Sequence, residues 1–146
     1  MNAFNQFQGH DGVERILLVE DDAMDVAAVR RAFEDNGVDI ELVVRKNGQD
    51  ALSALQSGAI SKHGLLVLLD LNMPKMNGID FLRALRRDEE LRRTPVVVLT
   101  SSARPEDKEA AYDAHVAGYL VKPLDYDECV TLLGALADYW RVVQLP

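Results

Sequence analysis

Reactive side chains stand at the carboxyl ends of four of the five short apolar runs in this 146-residue sequence. In chain order they are Glu20, Asp21, Asp22, Asp70, Thr100 and Lys122. Carboxylates that are held close together repel each other and call for a cation. Magnesium suits such a site because it accepts one or two carboxylates and keeps water and phosphate oxygens as its other ligands. Histidine and cysteine are missing from the set, so the pattern argues against zinc.

Asp70 follows the most apolar run, Leu65–Leu69, and precedes a turn that contains proline and glycine. Taken alone, an aspartate in this position is equally well explained as a turn former or a helix cap. A carboxylate beside a divalent ion can also act as a nucleophile on a phosphoryl group and form an aspartyl phosphate. Lys122, the Thr100 hydroxyl and the backbone amides after Thr100 would then contact the phosphoryl oxygens. No glycine-rich phosphate loop accompanies the set, which favours a phosphoryl acceptor over a nucleotide-binding protein.

The elements that must position these side chains follow from hydrophobic periodicity. The runs predicted to form strands are residues 15–19, 40–45, 65–69, 95–100 and 118–121. Helix signals separate them, among them Asn47 and Asn77 as N-caps and Pro105 at a first helical position. This alternation predicts an α/β, doubly wound, flavodoxin-like fold, with five parallel strands in the order 2-1-3-4-5 and five helices. Strands one and three are neighbours in that order, which places Asp21 beside Asp70 at the switch point.

Composition narrows the classes of function. The length fits a single domain with a sizeable core. The net charge of −8 argues against nucleic-acid binding, which needs a basic surface. No apolar stretch is long enough to span a bilayer, and the polar opening residues lack the apolar segment of a signal peptide. With one cysteine, no internal disulfide can form, and we expect a cytoplasmic protein without membrane contact.

The set Glu20-Asp21, Asp70, Thr100-Ser101 and Lys122-Pro123 resembles the receiver domain of two-component response regulators, over about residues 14–140. The resemblance implies that Asp70 is the phosphorylated residue and that Mg²⁺ is the cofactor. It implies metal contacts from Asp21, from Asp70, from Glu20 through water and from the backbone carbonyl of Asn72. Residues 1–13 are polar and show no periodicity, so we expect them to form a flexible arm. The resemblance implies a receiver domain at 14–146, with an extended C-terminal helix and no output domain.

The same resemblance assigns the remaining site residues. Lys122, Thr100 and Ser101 are implied as catalytic residues, and the hydroxymethyl group of Ser101 would narrow access to the acyl phosphate. Tyr119 matches the aromatic switch of the family, which rotates inward as Thr100 moves; a half-exposed edge-strand aromatic is the alternative. Two interpretations of Asp22 remain open: a solvated surface acid, or a group that supports the metal ligands. Such a protein catalyses only its own phosphorylation and dephosphorylation, so it is not expected to be an enzyme.

Partners are implied as well, beginning with a sensor histidine kinase that donates the phosphoryl group. The runs 112–116, 119–123 and 139–146 resemble single-domain regulators paired with bacterial phytochrome histidine kinases. The fourth helix, fifth strand and fifth helix would form a surface near Tyr119 for partner binding or a homodimer. Apolar residues near the chain end, Trp140 and Val143 among them, fit that surface or packing on the domain's own core.

Two other classes of function remain open at this stage. A phosphatase or phosphotransferase with an aspartyl-phosphate intermediate usually has an Asp-x-Asp nucleophile after its first strand and a cap insertion, whereas Asp70 follows the third strand. A flavodoxin-like cofactor binder would have to hold an anionic flavin phosphate, which an acidic pocket disfavours. Steady substrate turnover would indicate the enzyme, a yellow protein the flavin binder, and single stoichiometric labelling the switch.

Overall fold

A computed structural model describes residues 12–146 as five strands alternating with five helices. The strands are β1 (Arg15–Val19), β2 (Glu41–Arg45), β3 (Leu65–Leu69), β4 (Val96–Thr100) and β5 (Gly118–Val121). The helices are α1 (Ala23–Asp35), α2 (Gly48–Ser57), α3 (Gly78–Arg87), α4 (Pro105–Asp113) and α5 (Tyr126–Trp140). Of the predicted N-terminal arm, residues 1–11 lie outside the described part of the chain. Within that part, no helix combines the length and the apolar character that a membrane crossing requires.

All neighbouring strands run parallel, in the order β2-β1-β3-β4-β5. This order confirms the predicted doubly wound, flavodoxin-like topology. Its consequence for the site is direct, because parallel strands bring all their carboxyl ends to one edge of the sheet. The central strands β3 and β4 are buried along their whole length, whereas β2 is partly exposed, as expected of an edge strand.

Local caps set the helix boundaries. The side chains of Asn47, Asn77 and Asp125 each accept a hydrogen bond from a backbone amide in the first turn of α2, α3 and α5. Pro105 is the first residue of α4, where its missing amide hydrogen costs no helical bond. Gly58 ends α2 in the left-handed conformation (φ 81°), which glycine adopts without strain. These caps confirm the helix starts expected from the sequence.

The core lies in two layers, one on each face of the sheet. On β1, Leu17 and Val19 face the layer formed with α2, α3 and α4. Ile16 and Leu18 face the layer formed with α1 and α5. Each fully buried leucine or valine contributes about 1.5–3 kcal/mol to the free energy of folding. The sheet is therefore a rigid platform for the side chains at its edge.

Helical spacing in the sequence predicts one apolar stripe on the last helix, formed by Cys129, Leu132, Leu136, Trp140 and Val143. Helix α5 ends at Trp140, so Val143 lies beyond the helix rather than on this stripe. Leu133, which the predicted stripe left out, is fully buried. Trp140 packs edge-on against Phe33 of α1, with ring centroids 5.4 Å apart, and Val143 packs on the same core layer. Trp140 and Val143 therefore cover the domain's own core, which is one of the two arrangements expected for the chain end. Val142 stays exposed at 46%.

Candidate functional site

Three carboxylates converge at the carboxyl edge of the sheet. Val19 of β1 pairs with Leu69 of β3, so the next residues, Glu20 and Asp70, emerge side by side. The Asp70 amide donates to the Val19 carbonyl at 3.0 Å, which extends the ladder to the site. Carboxylate oxygens of Glu20, Asp21 and Asp70 lie within 4.8 Å of one another. We refer to these three residues as the acidic cluster.

The acidic cluster fits a hard divalent cation. Glu20 and Asp70 are only 2% and 5% exposed, whereas Asp21 is open to solvent. The Oδ1 atom of Asp70 is buried and has no hydrogen-bond partner among the described residues. A buried carboxylate oxygen without a partner is costly, and a cation with oxygen ligands would satisfy it. Two buried carboxylates and one exposed carboxylate match the small number of protein ligands that Mg²⁺ binds in addition to its waters.

Lys122 reaches the cluster from the end of β5. Its backbone amide donates to the Thr100 carbonyl at 2.8 Å, which continues the pairing of β4 with β5. Its Nζ atom donates to Glu20 Oε2 at 2.6 Å and to Asp25 Oδ2 at 2.9 Å. The same atom lies 3.8 Å from Asp70 Oδ2, within ion-pair range but beyond hydrogen-bond range. One ammonium group thus serves three carboxylates.

Burial and charge shift the pKa values of this pair. Burial raises the pKa of the Glu20 carboxyl to about 7, although the hydrogen bonds from Lys122 and from the Asp22 amide oppose the shift. Burial alone would lower the pKa of Lys122. Its hydrogen bonds to Asp25 and Glu20 and the charge of Asp70 outweigh burial, so this pKa lies above its usual value. The pKa of Glu20 and the pKa of Lys122 can both be raised, because one ammonium that is shared among three acids offsets only part of the cost of burying Glu20.

Asp25 was not anticipated as a site residue. The helix dipole alone explains an acidic residue in the first turn of a helix. The sequence therefore gives no sign that Asp25 contacts Lys122. The neighbouring acid Asp22 is the N-cap of α1, where its carboxylate accepts from the amides of Met24 at 2.8 Å and Asp25 at 3.3 Å. This cap gives Asp22 a defined position and fixes the start of the helix that carries Asp25.

Hydroxyl groups line the other side of Asp70, after β4. Thr100 is fully buried, and its Oγ1 accepts from the Ser102 amide at 3.3 Å. Ser101 is exposed. The Tyr119 hydroxyl donates to the Ser102 carbonyl at 2.8 Å, and the ring packs partly buried against the first core layer. Burial raises the pKa of Tyr119, and the Ser102 hydroxyl donates to Asp107 of α4. A chain of contacts therefore links the end of β4 to Tyr119 and α4.

The loop after Asp70 passes close to the start of α3. A Cβ atom built on Gly78 would lie 2.6 Å from the carbonyl oxygen of Asp70, so no side chain fits at this position. The sequence marked Gly78 only as a turn residue. Asn72, in the same loop, is exposed, and it lines a cleft of about 450 Å³ together with Arg104 and Asp107.

Arg86 in the last turn of α3 does more than complement the helix dipole. Its guanidinium donates to the carbonyls of Ala114 at 2.8 Å, Arg92 at 2.9 Å, Thr94 at 2.7 Å and His115 at 3.0 Å. Burial lowers the pKa of Arg86. His115 follows α4 in a left-handed conformation (φ 61°), so the acceptor for Arg86 lies in the turn between α4 and β5. Arg86 therefore ties the C-terminal end of α4 to α3.

Sequence comparison identifies relatives over most of the chain. The family model of the response regulator receiver domain matches residues 16–133. Response regulator Rcp1 from Synechocystis sp. is 35% identical over 135 residues, which cover 90% of this chain and 92% of Rcp1. The probable methanogenesis regulatory protein FilR2 from Methanothrix harundinacea is 38% identical over 127 residues, which cover 86% of this chain and 82% of FilR2.

Solved structures agree with the sequence relatives. The phosphorylated cyanobacterial phytochrome response regulator RcpA has a TM-score of 0.83 at 31% identity, covering 92% of this chain and 99% of that chain. The Mn²⁺-bound form of Rcp1 has a TM-score of 0.82 at 33% identity, covering 91% and 99%. The matched residues 16–133 include the whole acidic cluster, Thr100 and Lys122. This chain therefore belongs to the response regulator receiver domain family of two-component signalling proteins.

Proposed function

We propose that this chain is a phosphorylation switch in which Asp70 accepts a phosphoryl group from a histidine kinase. The observation that carries the proposal is the Asp70 carboxylate itself. Its Oδ1 is buried without a partner among the described residues, while its Oδ2 lies 3.8 Å from the Lys122 ammonium. This carboxylate has a free nucleophilic oxygen and a cation nearby to offset the added charge.

The transfer itself needs one nucleophile and several charge-stabilising groups. An Asp70 carboxylate oxygen attacks the phosphorus of a phosphohistidine, the O–P bond forms, the P–N bond breaks and the imidazole leaves. We propose that Lys122 and the Thr100 hydroxyl contact the phosphoryl oxygens and that the Ser101 amide adds a donor. Attack of water on phosphorus later releases phosphate and restores the carboxylate. The protein thus catalyses only its own phosphorylation and dephosphorylation.

Mg²⁺ is the cofactor that we assign to this reaction. Glu20, Asp21 and Asp70, with the backbone carbonyl of Asn72, are the ligands that would hold it. When bound, Mg²⁺ offsets the negative charge of the transferring phosphoryl group. The Mn²⁺-bound structure of Rcp1 supports a divalent cation in this family. The oxygen-only ligand set supports magnesium over softer metals.

The readout of phosphorylation is proposed to lie on the α4–β5–α5 surface. Thr100, Ser102 and Tyr119 are already linked, so movement of Thr100 toward a phosphoryl group would disturb the Tyr119 hydrogen bond. Large apolar side chains are exposed on or beside this surface, including Tyr112, Val121 and Leu124. We propose that phosphorylation changes how this surface binds a partner or a second copy of the chain.

The kinase partner is proposed from the relatives. RcpA is described as a phytochrome response regulator, and its fold and length match this chain closely. A sensor histidine kinase of the bacterial phytochrome type is therefore our candidate donor. We propose that the α4–β5–α5 surface binds protein partners rather than nucleic acid, since the net charge of −8 repels phosphate backbones.

Acetyl phosphate with Mg²⁺ tests the proposal by intact-mass measurement. We expect wild-type protein to gain one phosphoryl group and Asp70→Asn to gain none, while Asp113→Asn on the exposed face of α4 labels like wild type. Size-exclusion chromatography of both forms should show a change in association on phosphorylation. Labelling that persists in Asp70→Asn, or steady hydrolysis of a phosphomonoester, would refute the switch. Identical elution of both forms would refute phosphorylation-dependent dimerisation.

A further inference from the structure

The Lys122–Asp25 pair is a contact that phosphoryl transfer does not require. The Nζ–Oδ2 distance of 2.9 Å is a full hydrogen bond, whereas the ammonium remains 3.8 Å from Asp70. In this arrangement the Lys122 ammonium is held toward α1 and away from the carboxylate that it is proposed to assist. The two partners are 97 residues apart in the chain, so only the fold brings them together.

The position of Asp25 is set by the scaffold rather than by Lys122. Asp22 caps the first turn of α1 and so fixes the backbone at Asp25. At the other end of the helix, the Asn36 side chain donates to the Val130 carbonyl of α5 at 2.8 Å. The Asp25 side chain is 41% exposed and that of Lys122 is 17% exposed. Asp25 is therefore a solvated acceptor at a fixed place on the rim of the acidic cluster.

Lys122 and a divalent cation draw on the same carboxylates. The ammonium holds Glu20 Oε2 at 2.6 Å, and Glu20 is a member of the acidic cluster. If Glu20 and Asp70 were its only acceptors, the ammonium would have to lose its best hydrogen bond when these carboxylates turn to a metal ion. A buried ammonium that loses its acceptor is costly. Asp25 offers the ammonium an acceptor outside the cluster.

We propose, on the basis of the function proposed above, that Asp25 is a positioning residue that retains the Lys122 ammonium when a divalent cation uses the acidic cluster. Asp25 thereby lowers the competition between the two cations for Glu20. It also keeps the ammonium within reach of a phosphoryl group on Asp70. Asp25 has no contact with the reacting atoms and acts only through Lys122.

Calorimetric titration of Mg²⁺ into the unphosphorylated protein tests this role without reference to activity. We expect Asp25→Asn to bind Mg²⁺ about threefold to tenfold more weakly, the range of a charge-assisted pair at a partly solvated site. Asp22→Asn is the matched control, because it removes one negative charge from the same helix start while asparagine keeps the N-cap. This control should weaken binding about twofold or less, since its charge acts only through solvent. Asp25→Glu restores the carboxylate and should recover most of the affinity.

A double-mutant cycle with Lys122→Ala identifies the route of the effect. Without the ammonium, Asp25→Asn should weaken Mg²⁺ binding no more than Asp22→Asn does. The role is refuted if Asp25→Asn and Asp22→Asn are equivalent in the wild-type background, or if the Asp25→Asn effect survives undiminished in Lys122→Ala. Urea unfolding of each variant shows that the fold is retained. Wild-type protein that fails to label with acetyl phosphate would refute the proposed function instead, whereas normal labelling with no Asp25→Asn effect refutes only this inference.

Discussion

The two sides of the Asp70 site are built from different chemistry on different supports. The charged wall, after β1 and β5, consists of Glu20, Asp25 and Lys122. The hydroxyl wall, at the end of β4 and on β5, consists of Thr100, Ser102 and Tyr119. Buried ions keep their interactions only in a fixed frame, whereas hydroxyl groups exchange acceptors by rotating one bond. The charged wall is therefore the side that the fold must hold still.

The charged wall rests on a tightly fastened pair of helices, α1 and α5. Asn36, at the end of α1, donates to the Val130 carbonyl of α5, and a Cβ on Gly134 would lie 2.6 Å from Asn36 Oδ1. The Tyr126 hydroxyl of α5 donates to Asp35 of α1 at 2.7 Å. Together with the contact between the Phe33 and Trp140 rings, these contacts hold α1 against α5 along most of the length of α5.

The hydroxyl wall rests on α4, which is held mainly at its two ends. Ala111 is the only buried residue of this helix, and Arg104 at the N-cap position makes no side-chain cap bond. One end is linked through Asp107 to the Ser102 hydroxyl, and the other through Arg86 to the turn before β5. A helix with so little buried apolar surface shifts at low cost. We therefore expect structural change to begin on this side.

The largest effect should come from removing the deepest contact of the α1–α5 pair. Trp140→Ala removes a buried ring that packs against Phe33, and we expect a loss of about 3–5 kcal/mol in the free energy of unfolding. Urea unfolding followed by circular dichroism measures it. The neighbouring Tyr139→Ala, at a side chain 52% exposed, is the control and should stay within about 0.5 kcal/mol of wild type. Equal losses for both variants would contradict a fastened α1–α5 pair.

A smaller effect is expected where α4 is tied to α3. Arg86→Met keeps the apolar stem but leaves four carbonyl groups without their guanidinium donor, which should cost about 2 kcal/mol of unfolding free energy. Amide hydrogen exchange should speed up in α4 and leave α1 unchanged. The exposed neighbour Arg87→Met is the matched control. Faster exchange in α1 as well would show that the two walls are not independent.

The effect expected at Glu20 is confined to a change of pH. Because burial raises its pKa from 4.5 to about 7, the folded metal-free protein binds more protons than the unfolded chain between these pH values. The free energy of unfolding should therefore decrease as pH rises from 4.5 to about 7, although the wild-type protein stays folded. Unfolding in chelator from about pH 5 to about pH 8 should show this slope, and Glu20→Gln should lack it. If the free energy of unfolding depended on pH in the same way for wild type and Glu20→Gln, a buried charge at Glu20 would be contradicted.

Local signals explain how much of the fold could be predicted. Uninterrupted apolar runs identified β1, β3 and β4, and side-chain caps such as Asn77 identified the helix starts. The predicted strand order placed Asp21 beside Asp70, whereas in the structure Glu20 emerges directly beside Asp70 and Asp21 follows it, with its carboxylate within 4.8 Å. The acidic cluster was predictable because its members follow directly from strand ends.

The contacts that were missed depend on where long side chains reach across the fold. Asp25 and Lys122 form a hydrogen bond although they are 97 residues apart in the chain. Arg86 donates to carbonyls in two separate loops. Periodicity places a Cα atom on a helix face but does not say which carbonyl a guanidinium will find. Leu133 was missed for a simpler reason, since a shift of one residue moves the stripe of α5 by about 100°.

The bare backbone at Gly78 also limits how the pocket can be redesigned. Any larger residue there would push against the main chain of Asp70 itself, so a library at this position should return glycine alone. Gly118 differs, because a methyl group there would meet only a Val97 methyl, at 3.9 Å. A redesign of the Asp70 pocket must therefore keep glycine at position 78 and vary other positions.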